Sequence, residues 1–221
     1  MQIPHQVSAK LQTSFAFALG LHYLCGMKNI VFDLGGVLFA RDKSKCTPEL
    51  LEFFSFLRAP RMPFFWEEYD RGTSTLDEVT ATISRMTGRS VETCSAVLQL
   101  AIDLQEPVKP TERLVRDLKA AGYKLYVLSN MSREFIDFLR RFPVYGLFDG
   151  EVVSCEEHTV KPEPRIYEIL LERYGLTPSE TLFIDDREAN IEAAAALGIH
   201  GCLFDHRDPA SACEALRSRL L

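Results

Sequence analysis

KNIVFDLGGVLF, residues 28–39, places Asp33 at the end of a short run of β-branched and aromatic residues, with Gly35 and Gly36 just behind it. A brief apolar run bounded by turn formers reads as a buried parallel strand. The two glycines allow a turn tight enough for backbone N–H groups to face an anion. Taken alone, the aspartate is equally well explained as a cap on the following turn. Three further segments in a matching order change that reading. KLYVLSN, 124–130, is another buried strand and ends in Ser129 and Asn130. In VKPEPRIY, 160–167, Pro162 and Pro164 suit the approach to a helix and its first turn, with Lys161 just ahead. TLFIDDREAN, 181–190, is a strand that ends in Asp185 and Asp186 and runs into a helix carrying Asn190. Carboxylate, hydroxyl, cation and acidic pair all fall at strand or helix ends, the rim where open α/β sheets bind ligands.

This ordered set resembles the haloacid dehalogenase superfamily of phosphatases and phosphotransferases, from Met27 to the C-terminus. The resemblance implies a nucleophile at Asp33, a phosphate-binding pair at Ser129 and Asn130, and a cation, Lys161, beside the nucleophile. It also implies Mg²⁺ held by Asp33, the backbone carbonyl of Gly35 and Asp186, with Asp185 in support. The backbone amides of Leu34 and Gly35 would add phosphate contacts, and Asn190 falls where relatives often have a third acidic residue. A carboxylate attacking a phosphomonoester meets a dianion, so a metal and a lysine are needed to offset the repulsion. Water would then hydrolyse the aspartyl phosphate, splitting one hard step into two easier ones.

Gly35 is the departure. Most phosphatases of this superfamily have an aspartate there, serving as general acid to the leaving oxygen and then as base for water, help typically worth ~10²–10⁴ in rate. The expected function is a Mg²⁺-dependent phosphatase of a small phosphorylated metabolite, such as a sugar phosphate. A catalytically silent binding protein on the same fold is the alternative. A 2-haloacid dehalogenase is a lesser one, since those relatives are similar to one another in an aromatic residue at the Gly35 position and in lacking a metal. Here two adjacent carboxylates beside a third would repel strongly unless a cation sat among them.

With 221 residues and 47% hydrophobic content, the chain can bury a substantial core and admit an inserted subdomain. A formal charge of −6 does not suggest a nucleic-acid or anionic-membrane surface. Cys25, Cys46, Cys94, Cys155, Cys202 and Cys213 form no CxxC pair and no zinc spacing, which reads as reduced thiols in a cytoplasmic protein, monomeric or homodimeric. Residues 1–26 hold an apolar run from Phe15 to Cys25 that is too short for a span of ~20 apolar residues. Nor does it have a clear signal-peptide start or cleavage site. The reading is an extension upstream of a natural start at Met27, with a helix packing on the core as the alternative.

The expected fold is α/β, a Rossmann-like parallel sheet with helices on both faces and an inserted small α-helical cap. The core takes 27–42 and 108–221, the cap 43–107. The cap segment reads as helical throughout, with no strand signal. Leu50, Leu51, Phe53, Phe54 and Leu57 share one side of a helix that Pro48 begins. Leu76, Val79, Ile83 and Met86 recur at helical spacing, as do Val97, Leu98, Ala101 and Leu104 within 91–104. Pro107 and Pro110 fall in the return hinge. Beyond it, Thr111 and Ser132 are candidate N-caps, Gly122 and Gly198 candidate helix ends, and strands are expected at 150–153, 181–185 and 201–204. Strand–helix alternation implies parallel strands with right-handed crossovers.

In PFFWEEYDRG, 63–72, the reading preferred is that Phe64, Phe65 and Trp66 pack the cap and Arg71 pairs with Glu67. The alternative has the aromatics, with Tyr69, stacking on a leaving group and Arg71 meeting a second anion. His158 reads as a solvated loop residue rather than a displaced acid–base group, and Cys155 as a structural thiol. Arg133 and Arg187 read as surface residues, although both lie just beyond site motifs.

Overall fold

The computed structural model describes residues 26–42, 44–58 and 62–221. The apolar run from Phe15 to Cys25 and the other expectations for residues 1–25 lie outside these, as does the Leu57 side chain. From the N-terminal side come β1 (Asn29–Phe32) and β2 (Phe39–Arg41). Helices α1 (Pro48–Phe53), α2 (Phe64–Arg71), α3 (Leu76–Thr87) and α4 (Val91–Asp103) follow, and then β3 (Gln105–Pro107). Strands and helices alternate thereafter. They are α5 (Lys109–Ala120), β4 (Lys124–Ser129), α6 (Arg133–Leu139), β5 (Gly150–Val153), α7 (Ser154–Glu157) and α8 (Pro164–Tyr174), followed by β6 (Thr181–Asp185), α9 (Glu188–Ala196), β7 (His200–Leu203) and α10 (Pro209–Leu220).

Among the described residues, five strands form one parallel sheet in the order β5-β4-β1-β6-β7. The two-residue period of a strand divides β1 between two cores. Ile30 and Phe32 join Leu125, Val127, Leu182 and Ile184 beneath Leu114 and Leu118 of α5 and Leu216 of α10. Val31 points the other way, with Tyr126, Leu128 and Phe183, against Ile166, Tyr167 and Leu170 of α8. Both faces are therefore covered, as a parallel sheet requires. Phe32 pairs in register with both Val127 and Ile184, so Asp33 leaves β1 beside the last residues of β4 and β6, Ser129 and Asp185. That register, rather than sequence proximity, gathers residues from 33, 129 and 185.

Among the described residues, four α-helices stand between β2 and β3 around their own apolar cluster, with Trp66, Tyr69, Val79, Ile83 and Leu98 at its centre. Trp66 meets Phe54 and Tyr69 edge-on at 6.0 and 5.5 Å. Helix α3 is well delimited by its sequence: Thr75 and Glu78 form a reciprocal capping box, and Gly88 closes it at φ +71°.

Several local expectations need correction. The segment is not helical throughout, because Phe39–Arg41 and Gln105–Pro107 pair antiparallel as a small ribbon at its base. Thr111 does not cap α5. The helix begins at Lys109, where Pro110 fits a first turn that has no use for its N–H, and the Thr111 hydroxyl lies buried 3.6 Å from the Cys213 sulfur. Ser132 occupies the N-cap position of α6 without a side-chain cap bond. Leu51 and Met86 are exposed, and the last strand starts one residue early, at His200.

Candidate active site

At the C-terminal rim of the sheet, Asp33, Ser129 and Asp185 are brought together by the register of β1, β4 and β6, and Lys161 reaches them from the loop before α8. Asp33 is the shared acceptor: its Oδ1 takes a hydrogen bond from Ser129 Oγ at 2.8 Å and lies 2.9 Å from Lys161 Nζ. The same ammonium donates to Asp185 Oδ2 at 2.6 Å and to the Leu128 carbonyl at 2.9 Å, which places all its donors inside the protein. Asn130 braces the lysine from the side. Its Oδ1 accepts from Lys161 N at 2.7 Å, and its Nδ2 donates to the Lys161 carbonyl at 2.9 Å. One N–H of that amide is left for another acceptor.

The acidic pair divides its work. Asp185 is sealed, accepting from Arg187 N at 2.8 Å and, on both oxygens, from Asn190 Nδ2 at 3.0 Å. Asn190 is held in turn by Tyr167, whose hydroxyl donates to the Asn190 carbonyl at 3.0 Å. Asp186 lines the open cavity, with His206 Nδ1 at 3.3 Å from its Oδ2. Gly36, at φ +79°, is what lets the first turn approach it: a β-carbon there would stand 2.6 Å from Asp186 Oδ2. Backbone bonds within this turn are donated by Gly36, Val37, Leu38 and Phe39. The amides of Leu34 and Gly35 are not among these donors.

Charge shapes the site. Burial raises Asp33 to about 6, with Lys161 opposing and Asp185 and Asp186 adding to the rise. Burial also raises Asp186, helped by Asp185. Burial by itself would lower Lys161, but the charges of Asp185 and Asp33 outweigh it and hold the ammonium above its usual range. Carboxylate oxygens of Asp33, Asp185 and Asp186 lie within 4.8 Å of one another, a donor set of hard oxygens with more negative charge than one lysine offsets. Those residues fit a small divalent cation such as Mg²⁺.

A cavity of about 1160 Å³ opens above this rim. Its lining brings Asp33, Lys161 and Asp186 of the core together with Arg41, Met62, Phe64, Trp66 and Asp70 from β2 to α2. Of the three aromatics expected to pack the cap, Trp66 is buried and Phe65 partly buried against the helical cluster, which also takes in Tyr69, whereas Phe64 departs from that reading and is 75% exposed on the cavity wall. Arg71 pairs with Glu67 at 2.9 Å as expected, and also forks onto Glu163 at 2.9 and 2.7 Å. His158 is exposed, lines a separate cavity, and lies 3.2 Å from the Arg71 carbonyl. Cys155 is buried, and burial pushes its thiol up to about 11, which makes it inert. Arg133 pairs with Glu156 at 2.6 Å, whereas Arg187 lines the main cavity.

Sequence reading did not single out Arg41 or Asp70. Arg41 has no motif around it, and its guanidinium stacks 4.7 Å above Phe54. Asp70 sits in an acidic helix turn that reads as a solvated face. The nearest sequence signal was Gly72, whose left-handed φ of +76° ends α2 where its backbone touches Cys155: a β-carbon there would meet the Cys155 carbonyl at 2.4 Å.

Comparison with known proteins agrees with this geometry. A sesquiterpene phosphatase of Aspergillus oryzae is 28% identical over 191 residues, covering 86% of this chain and 95% of that protein. A D-ribitol-5-phosphate phosphatase of Bacteroides thetaiotaomicron is 26% identical over 189 residues, covering 78% and 89%. The structure of a haloacid dehalogenase-family enzyme from B. thetaiotaomicron, in complex with magnesium and inorganic phosphate, superposes with a TM-score of 0.63 at 28% identity, covering 82% of this chain and 96% of that one. Residues 27–198 match the haloacid dehalogenase-like hydrolase family, and the chain belongs to that family of enzymes.

Proposed function

We propose that the protein is a Mg²⁺-dependent phosphomonoesterase that works through an aspartyl phosphate on Asp33. The observation that carries this reading is the convergence of Ser129 and Lys161 on one oxygen of Asp33, beside an acidic pair. Asp33, the Gly35 carbonyl and Asp186 would hold Mg²⁺, with Asp185 in support, and the metal would neutralise the phosphate dianion. Lys161 spreads its charge between the nucleophile and the incoming phosphoryl oxygens. Ser129, the remaining Asn130 N–H and the amides of Leu34 and Gly35 orient those oxygens. Asp33 attacks phosphorus, the ester bond breaks, and water later releases inorganic phosphate and regenerates the carboxylate.

Residues 43–107 act as a cap in this scheme. It is fastened to the core by Arg71 to Glu163 and by the Tyr69 hydroxyl, which donates to Glu134 at 2.6 Å. Met62, Phe64 and Trp66 give the leaving group a carbon-rich wall, which favours a small phosphorylated metabolite with an apolar portion over a sugar phosphate. The likeness to a sesquiterpene phosphatase supports the same choice.

The test is phosphate release from an aryl phosphate, prenyl phosphates and sugar phosphates, with Mg²⁺ or EDTA, by wild type and Asp33→Asn. Metal-dependent release absent from the variant is expected. Equal background from both proteins across the panel would leave a silent binding protein in place of an enzyme.

A further inference from the structure

Gly35 leaves the catalytic turn without a proton donor, and the helical layer brings a replacement to the same cavity. Among the described residues, five carboxylates line it: Asp33, Glu67, Asp70, Asp186 and Glu188. Asp33 and Asp186 belong to the charged rim, Glu67 is paired with Arg71, and Glu188 is exposed on the first turn of α9. Asp70 is the remaining one, 9% exposed. Its position is fixed from the core side. The Asp70 carbonyl accepts from Ser154 Oγ, and Ser154 Oγ in turn accepts from Met131 N at 2.9 Å, one residue beyond the Ser129–Asn130 pair. We propose, resting on the phosphatase reading, that Asp70 is the general acid for the leaving group, supplied by the helical layer in place of the residue missing at position 35.

The chemistry balances. Asp33 bonds to phosphorus as the ester P–O bond breaks, and the departing oxygen takes the carboxyl proton of Asp70. In the second half, the Asp70 carboxylate takes a proton from the attacking water, which returns Asp33 as a carboxylate and releases phosphate. An acid in this role must keep its proton near neutral pH. Burial raises Asp70 to about 7; Arg187 pulls it down, Asp33 and Glu67 push it up, and a hydrogen bond from the Ser132 backbone N–H pulls it down again. Lys161 and Asp186 line the same cavity, while α7 meets Asp70 through Ser154.

The experiment compares kcat/KM, which reports phosphoryl transfer to Asp33, for an aryl phosphate and an alkyl phosphate in wild type, Asp70→Asn and Gly35→Asp/Asp70→Asn. Asp70→Asn is expected to lower the alkyl value by ~10²-fold or more and the aryl value by less than ~10-fold, because only the alkoxide needs the proton. The fall in wild-type alkyl activity as pH rises through about 7 should vanish with it. Position 35 has room for the rescue: a β-carbon there meets nothing nearer than Met131 Cε at 3.9 Å, so Gly35→Asp should restore the alkyl rate. Equal losses on both esters, or an unchanged alkyl rate, would overturn the assignment while leaving the phosphatase intact. No metal-dependent turnover of either ester by wild type would overturn both.

Discussion

Lys161 and Arg71 are both cations held among carboxylates, and the contrast between them separates the two halves of the molecule. The Lys161 side chain is 1% exposed, beside Asp33 and Asp185; that of Arg71 is 18% exposed, beside Glu67, Glu68 and Glu163. Where burial is complete, charges cannot be screened, and their balance decides what each group can do. Where water reaches the pair, the same chemistry is partly screened. The rim of the sheet is therefore built to hold charge in one arrangement, and Arg71 to tie the helical layer to the core through a more solvated ion pair.

Removing Lys161 should break the rim most severely. Lys161→Met leaves Asp33 and Asp185 facing each other without their cation, and loss of one partner of a buried pair costs about 3–5 kcal/mol. Turnover should fall by at least ~10³-fold, with stability partly recovered in Mg²⁺ as seen by thermal melts. Gly36→Ala should damage the same region more narrowly. It forces a β-carbon toward Asp186 at positive φ, at about 1–2 kcal/mol for the backbone alone, and should raise the Mg²⁺ concentration needed for half-activity by ~10-fold or more.

Asp70 sharpens the comparison because it carries a rim-like charge on the helical layer. Its folded value, about 7 against an ordinary 3.8, means that the folded state binds the proton more tightly than the unfolded chain. Its contribution to stability is therefore full below about pH 4 and is lost as pH rises through about 7. Asp70→Asn should match wild type in denaturant melts at pH 4 and exceed it by up to about 4 kcal/mol at pH 8. A variant that gains stability while losing alkyl phosphate turnover is the signature of a group kept for function. Smallest of all, Phe64→Ala should change stability by less than about 0.5 kcal/mol, since the ring is largely in solvent, yet raise KM for substrates with an apolar portion.

What the sequence made legible follows the same division. Strands β4, β5 and β6 and the four site segments are short, apolar and bounded by turn chemistry, so local reading placed Asp33, Ser129, Lys161 and Asp185 at strand and loop ends. The β2–β3 ribbon escaped because each strand is three residues long and pairs with a partner more than sixty residues away, with Pro107 in one of them. Thr111 was misplaced because a threonine after a proline looks like a cap, although the proline itself starts the helix. Asp70 escaped for the deepest reason. On α2 it sits among Glu67, Glu68 and Arg71, and only the docking of that helix on Ser154 and Cys155 turns a surface residue into a buried acid.

The most direct measurement is acid quench of the enzyme during turnover in Mg²⁺, followed by mass spectrometry of the peptide containing Asp33. The account predicts a phosphoryl adduct on Asp33 that decays on chasing with water and does not form in Asp33→Asn. Steady phosphate release with no adduct, undiminished in Asp33→Asn, would contradict it.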